Sequence, residues 1–82
     1  MPELSASEIE NIKHDTAIKI GGEIRKIREQ KKLTQVQLAN HIQSDRQYLY
    51  KIEKGKVGVS FSKLVIIAKA LDVSLTELTA RI

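Results

Sequence analysis

Apolar residues recur three and four residues apart over most of this chain, the spacing of one face of an α-helix. Ile20, Ile24 and Ile27 repeat at i, i+4 and i+7, with Arg25, Lys26, Lys31 and Lys32 outside the stripe. This pattern predicts a helix over Ile20–Lys32, with Gly21-Gly22 softening its start. Val36 and Ala39, and less strictly Leu38 and Ile42, form the next stripe. Thr34 is placed to cap that helix, and Gln37 completes a T-x-x-Q capping box. Gln43-Ser44-Asp45 breaks the pattern, and Ser44 or Asp45 can cap a new helix. This helix runs over 45–54, with Leu49 and Ile52 inward and Gly55 suited to a left-handed end. Ser60 opens a helix from Phe61 to Leu71, where Leu64, Ile67, Ala68 and Leu71 face the core. Val65 and Ile66 make it apolar nearly all round, which predicts a central, buried helix. Ser74-Leu75-Thr76-Glu77 is a further capping box and opens a last helix to about Ala80.

Residues 1–17 stand apart. Ser5-Ala6-Ser7-Glu8 is a capping box flanked by Leu4 and Ile9 as a hydrophobic staple. A short helix from about Ala6 to Thr16 is favoured slightly over a frayed tail, and a dimer contact stays open. These residues hold Glu3, Glu8, Glu10 and Asp15 against Lys13 alone, a net of −3, so residues 18–82 carry +7. The chain therefore divides into an acidic arm or short added helix, 1–17, and a basic domain, 18–82. A basic domain favours a polyanionic partner, although a solvated basic surface has the same composition.

The stretch Leu33–Gly55 is the centre of the pattern. Two short helices meet at a tight turn, and the second presents Arg46, Gln47, Tyr50, Lys51 and Lys54 outward. That is the outline of a helix-turn-helix unit. The ordered set Leu33-Thr34-Gln35, Leu38-Ala39, Arg46, Leu49 and Ile52-Glu53-Lys54-Gly55, followed by Ile67–Leu75, resembles the XRE or phage-repressor/Cro family. The likeness reaches back to Ile20-Gly21 and Ile24–Arg28. The family resemblance implies an all-α, five-helix, lambda-repressor-like domain, to which residues 1–17 would add the arm or helix. Gln43, where the turn commonly has glycine, and Asp45, an acid near DNA, depart from the family pattern, as does Val59, where many relatives have proline.

What the resemblance implies for function is sequence-specific binding of double-stranded DNA, as a repressor-type regulator on a palindromic operator. Base contacts fall on Arg46, Gln47 and Lys51, with Tyr50 close by. Arginine suits guanine O6 and N7, and glutamine suits adenine N6 and N7. Phosphate contacts fall on Gln35, Tyr48, Lys54 and Lys56, although either tyrosine could equally pack against a neighbouring helix. Arg28 and Glu53 match the family's structural ion pair. Leu75, Leu78 and Ile82 exceed what a short terminal helix needs and mark a homodimer interface, with packing onto the same chain as the alternative. The run Gly58-Val59-Ser60-Phe61 resembles the loop of HipB-like antitoxins, which leaves open a toxin protein as a partner. A basic helical bundle that binds only protein is the third alternative.

The remaining composition narrows the picture by exclusion. There is no cysteine, hence no disulfide or thiolate metal site. His14 and His41 are the only histidines; His14 has no ligand partner at i+3 or i+4, and His41 reads as a lone surface histidine. No Gly-rich phosphate loop, paired nucleophile and base, or metal cluster is evident, so no enzyme activity, metal or cofactor is expected. Eighty-two residues make one domain with a small core, which favours dimerisation. No apolar run approaches a membrane span, and the acidic N-terminus is not a secretory signal. A cytoplasmic, nucleoid-associated protein with no membrane contact is the expectation.

Overall fold

The structure, a computed structural model, describes residues 1–82. It is all-helical: α1 Ala6–Gln30, α2 Gln35–His41, α3 Arg46–Glu53, α4 Phe61–Ala70 and α5 Leu75–Thr79. Each helix starts on a side-chain cap. Ser5, Thr34 and Ser74 form capping boxes with Glu8, Gln37 and Glu77, and Asp45 and Ser60 cap α3 and α4. These caps satisfy backbone N–H groups that a helix start otherwise leaves unpaired.

The first correction concerns the N-terminus. The short helix expected to Thr16 and the helix expected from Ile20 are one 25-residue helix, with no break at 17/18. Thr16 is of a type that can cap a new helix, but no proline interrupts the segment and the backbone stays helical through it. Gly21-Gly22 is not a soft start but lies within α1. Gly21 sits where α1 crosses the end of α3, and a Cβ there would run into the carbonyl oxygen of Ile52 and stand 2.8 Å from that of Glu53. Gly22 next to it has nothing within 4 Å of the same position.

The two glycines therefore respond oppositely to alanine. Gly22→Ala gains up to about 1 kcal/mol from helix propensity alone. Gly21→Ala gains the same propensity but forces backbone apart, and overpacking of this kind costs about 1–3 kcal/mol. Urea denaturation of both variants checks the sign difference. Equal effects would contradict the close crossing.

Eleven side chains make the core, with Ile24 of α1, Leu38 of α2, Leu49 and Ile52 of α3 and Ile67 of α4 fully enclosed. In α2 the buried face is Leu38, Ala39 and Ile42, while Val36 is 50% exposed, so the expected stripe is rotated. α4 is not the buried central helix. Its Leu64, Ile67, Ala68 and Leu71 are buried, but Ile66 is exposed and Phe61 is 72% exposed. The centre belongs instead to α3 held between α1 and α2, because α3 supplies two fully buried side chains and a buried carboxylate.

Helices α1, α2, α3 and α4 all end on a left-handed residue: Lys32, Gln43, Gly55 and Asp72. After each, an N–H closes back five residues, as in Ser44 N–H to Ala39 O at 2.9 Å and Lys56 N–H to Lys51 O at 2.9 Å. This is the Schellman closure. Gln43 thus takes the φ +53° position for which glycine is the ordinary residue. Gly55 is φ +70°, and a Cβ on it would lie 2.7 Å from Ile18 Cγ1.

Candidate nucleic-acid interface

α2 and α3 are joined by the turn 42–45, with its left-handed residue at Gln43. The Oδ1 of Asp45 accepts from the Tyr48 N–H at 2.7 Å, which gives this acid a structural task at the start of α3. α3 turns Leu49, Ile52 and Glu53 inward. Arg46, Gln47, Tyr50, Lys51 and Lys54 are exposed on the opposite side. All five can donate hydrogen bonds, and three carry positive charge. An α-helix with such a face fits the major groove of B-DNA.

The helix is fixed to its scaffold by an ion pair. Arg28 donates through Nε to Glu53 Oε2 at 2.6 Å and through Nη2 to Oε1 at 3.0 Å. Its Nη1 donates to the Leu33 carbonyl at 2.7 Å, and Gln35 Nε2 donates to Glu53 Oε1 at 3.0 Å. One guanidinium therefore ties α1 to α3 and to the start of α2. Both Arg28 and Glu53 are buried, and no buried side-chain polar atom lacks a partner. Hydrogen bonding to Glu53 raises the Arg28 pKa above the usual arginine range, against the opposing pull of desolvation.

Around this pair lies a polar hollow of about 310 Å³ lined by Arg25, Arg28, Gln35, Arg46, Tyr50, Glu53 and Lys54. It opens beside the first turn of α2, where unpaired N–H groups favour an anion. Gln35 lines it with one amide hydrogen already given to Glu53, leaving the other free for a phosphate oxygen. Arg25 is a cation the sequence reading left as a plain surface charge. Its position one turn before Arg28 was the available signal.

The flanks divide the two tyrosines. Tyr48 is half-buried and packs on the core, with the Lys63 ammonium 5.6 Å from its ring centroid. Lys63 also donates to Ser44 Oγ at 3.3 Å, so α4 delivers a cation beside the turn that sequence reading did not single out. Tyr50 is exposed, and Lys54 and Lys56 stand over its ring at 5.9 and 5.5 Å. Such contacts hold the ammonium groups near the ring at about 0.5–1 kcal/mol each.

Of the residues expected at a dimer interface, Leu78 is 1% exposed and belongs to the core of its own chain. It cannot contact a partner without leaving that core. Leu75 is half-buried and Ile82 is 48% exposed. No helix is long and apolar enough to cross a membrane.

Comparison with known proteins agrees with this geometry. A helix-turn-helix family model matches residues 24–78. An immunity repressor protein of Bacillus phage phi105 is 39% identical over 59 residues, covering 72% of this chain. The match spans only 41% of that repressor. Control protein C.MunI of Mycoplasma sp is 38% identical over 66 residues, covering 79% of this chain and 89% of that protein. Among solved structures, the restriction-modification controller protein C.AhdI from Aeromonas hydrophila superposes with a TM-score of 0.74 at 34% identity, covering 78% of this chain and 97% of that one. The clp gene regulator ClgR from Corynebacterium glutamicum gives 0.76 at 26% identity, over 78% and 83%. The chain belongs to the helix-turn-helix family of DNA-binding transcriptional regulators, in its XRE or phage-repressor-like branch.

Proposed function

We propose that the chain acts as a repressor that binds a palindromic operator as a homodimer. The observation that carries this reading is the two-faced α3. Its inner face is locked by Leu49, Ile52 and the Arg28–Glu53 pair, and its outer face is an unbroken set of hydrogen-bond donors. In this reading Arg46, Gln47 and Lys51 read base edges and Tyr50 covers a thymine methyl. Gln35, Lys54 and Lys56 hold phosphates, joined by Arg25 and Lys63. Leu75 and Ile82 form the dimer contact, with half-sites about 34 Å apart. The relatives, named as a repressor, controllers and a gene regulator, favour autonomous DNA regulation over the antitoxin alternative.

Phosphate and base contacts separate by their salt dependence. Lys54→Ala and Lys56→Ala should each weaken binding to all duplexes alike and lower the slope of log affinity against log salt by about 1. Fluorescence anisotropy with random-sequence duplex DNA over a salt series measures this. A slope that neither substitution changes would remove both lysines from the phosphate contact and leave the proposed docking face without its flank.

A further inference from the structure

The first turns of α1 project beyond the body of the protein. Residues 6–15 are all exposed, and a 25-residue helix is about 37 Å long, which accounts for the 42 Å long axis of the molecule. One row along α1 runs Glu8, Ile12, Asp15, Lys19, Gly22 and Lys26. The steps alternate between four and three residues, so the six lie in line on one face. All six are exposed, Ile12 at 53%. The four ion pairs within the chain use other residues: Glu10–Lys13, Arg25–Glu29, Arg28–Glu53 and Glu23–Arg81. Asp15 and Lys19 stand one turn apart on the same helix and still do not pair.

The row carries its acids in the first half and its lysines in the second. Turned end for end, it complements itself. With a two-fold axis at the level of Ala17, Glu8 faces Lys26 of a second copy and Asp15 faces Lys19. Ile12 then faces Gly22, where a Cβ would have nothing within 4 Å, an open notch for a branched side chain. A parallel pairing would instead set like charges side by side.

We propose that this face of α1 binds a second copy of the chain in antiparallel register. The contact is isologous, as a two-fold axis requires, and it is separate from Leu75 and Ile82 on α5. It goes beyond the operator-binding reading and does not depend on it. The occupant is another copy because both halves of the complementary charge pattern, and both knob and notch, lie on one chain. The pairs are solvent-exposed and individually weak, so the association is salt-sensitive. In a protein that also dimerises through α5, it joins dimers.

The test is sedimentation of the full chain over a concentration series at low and high salt. Two variants accompany it: Lys19→Glu/Lys26→Glu, whose row is all acidic, and Glu8→Lys/Asp15→Lys, whose row is all basic. Far-UV circular dichroism confirms that each is folded, since Glu8 also caps α1 through the Ser5 N–H. The expected result is a halving of the assembly mass in either variant alone and its return on mixing the two in equal amounts. A register check uses the absence of native cysteine. Under oxidation, Ile12→Cys/Gly22→Cys should form a covalent dimer, while Ile12→Cys alone should not. A wild-type mass that stays monomeric, or that neither charge variant alters, overturns the proposal. So does a mixture that behaves as the average of its components.

Discussion

Arg28→Ala should lower the stability of the domain by about 3–5 kcal/mol, the cost of breaking a buried ion pair from one side. The substitution leaves the Glu53 carboxylate enclosed with only Gln35 as a donor, and it also removes the donor to the Leu33 carbonyl. A domain of this length has about 4–12 kcal/mol of total stability, so the loss removes a large fraction of it and at the low end of that range brings the variant to its unfolding midpoint. The loss is not a measure of what the pair contributes. Removing both charges together, as in Arg28→Met/Glu53→Leu, takes away the stranded carboxylate and should recover most of the deficit. Urea denaturation of the wild type, the single variant and the double variant gives the three stabilities. A single variant that loses less than about 1 kcal/mol would place the pair in the class of exposed salt bridges. It would also remove the reason for holding α3 rigidly against α1.

The second large effect is on recognition rather than on folding. Arg46→Ala and Gln47→Ala each remove one donor set from the outer face of α3 and touch none of its buried residues. Each good bidentate base contact is worth about 1–3 kcal/mol of discrimination. Removing both should therefore reduce affinity for a cognate duplex by about 2–6 kcal/mol if the contacts are independent. Binding to unrelated duplex DNA should change far less, because Lys54, Lys56 and Gln35, the proposed phosphate contacts, remain. Thermal unfolding of the double variant should stay close to wild type. Equal losses on cognate and unrelated DNA would turn Arg46 and Gln47 into phosphate contacts.

The helices α2, α3, α4 and α5 were legible because each is announced by a cap residue before an apolar stripe. Thr34, Asp45, Ser60 and Ser74 all cap as their positions suggest. The continuity of α1 was not, because the change in charge near residue 17 resembles a boundary and a glycine pair follows it. Charge on an exposed helix face does not end a helix, and a glycine can be needed for close packing rather than for a turn. Only tertiary contact, the end of α3 against Gly21, decides between these. The exposure of Phe61 and Ile66 was hidden for a similar reason. Hydrophobic count tells how apolar α4 is, but not whether the chain has anything left to cover its outer side. Leu78 shows the converse, since burial by one's own core and burial by a partner leave the same trace in a sequence. The exposed side chains of α3 were read directly, as they lie opposite the inward-facing Leu49 and Ile52. Arg25 and Lys63 were missed because they reach the same surface from other helices.

The central claim is that the outer face of α3 reads sequence. Selection from a randomised duplex-DNA library at a fixed salt concentration tests it most directly, with Arg46→Ala/Gln47→Ala alongside the wild type. The account predicts enrichment of a palindromic motif with half-sites about one helical turn apart, lost in the double variant. Salt-sensitive binding with no motif, the same in both proteins, would contradict it and leave the chain as a basic helical domain with a different partner.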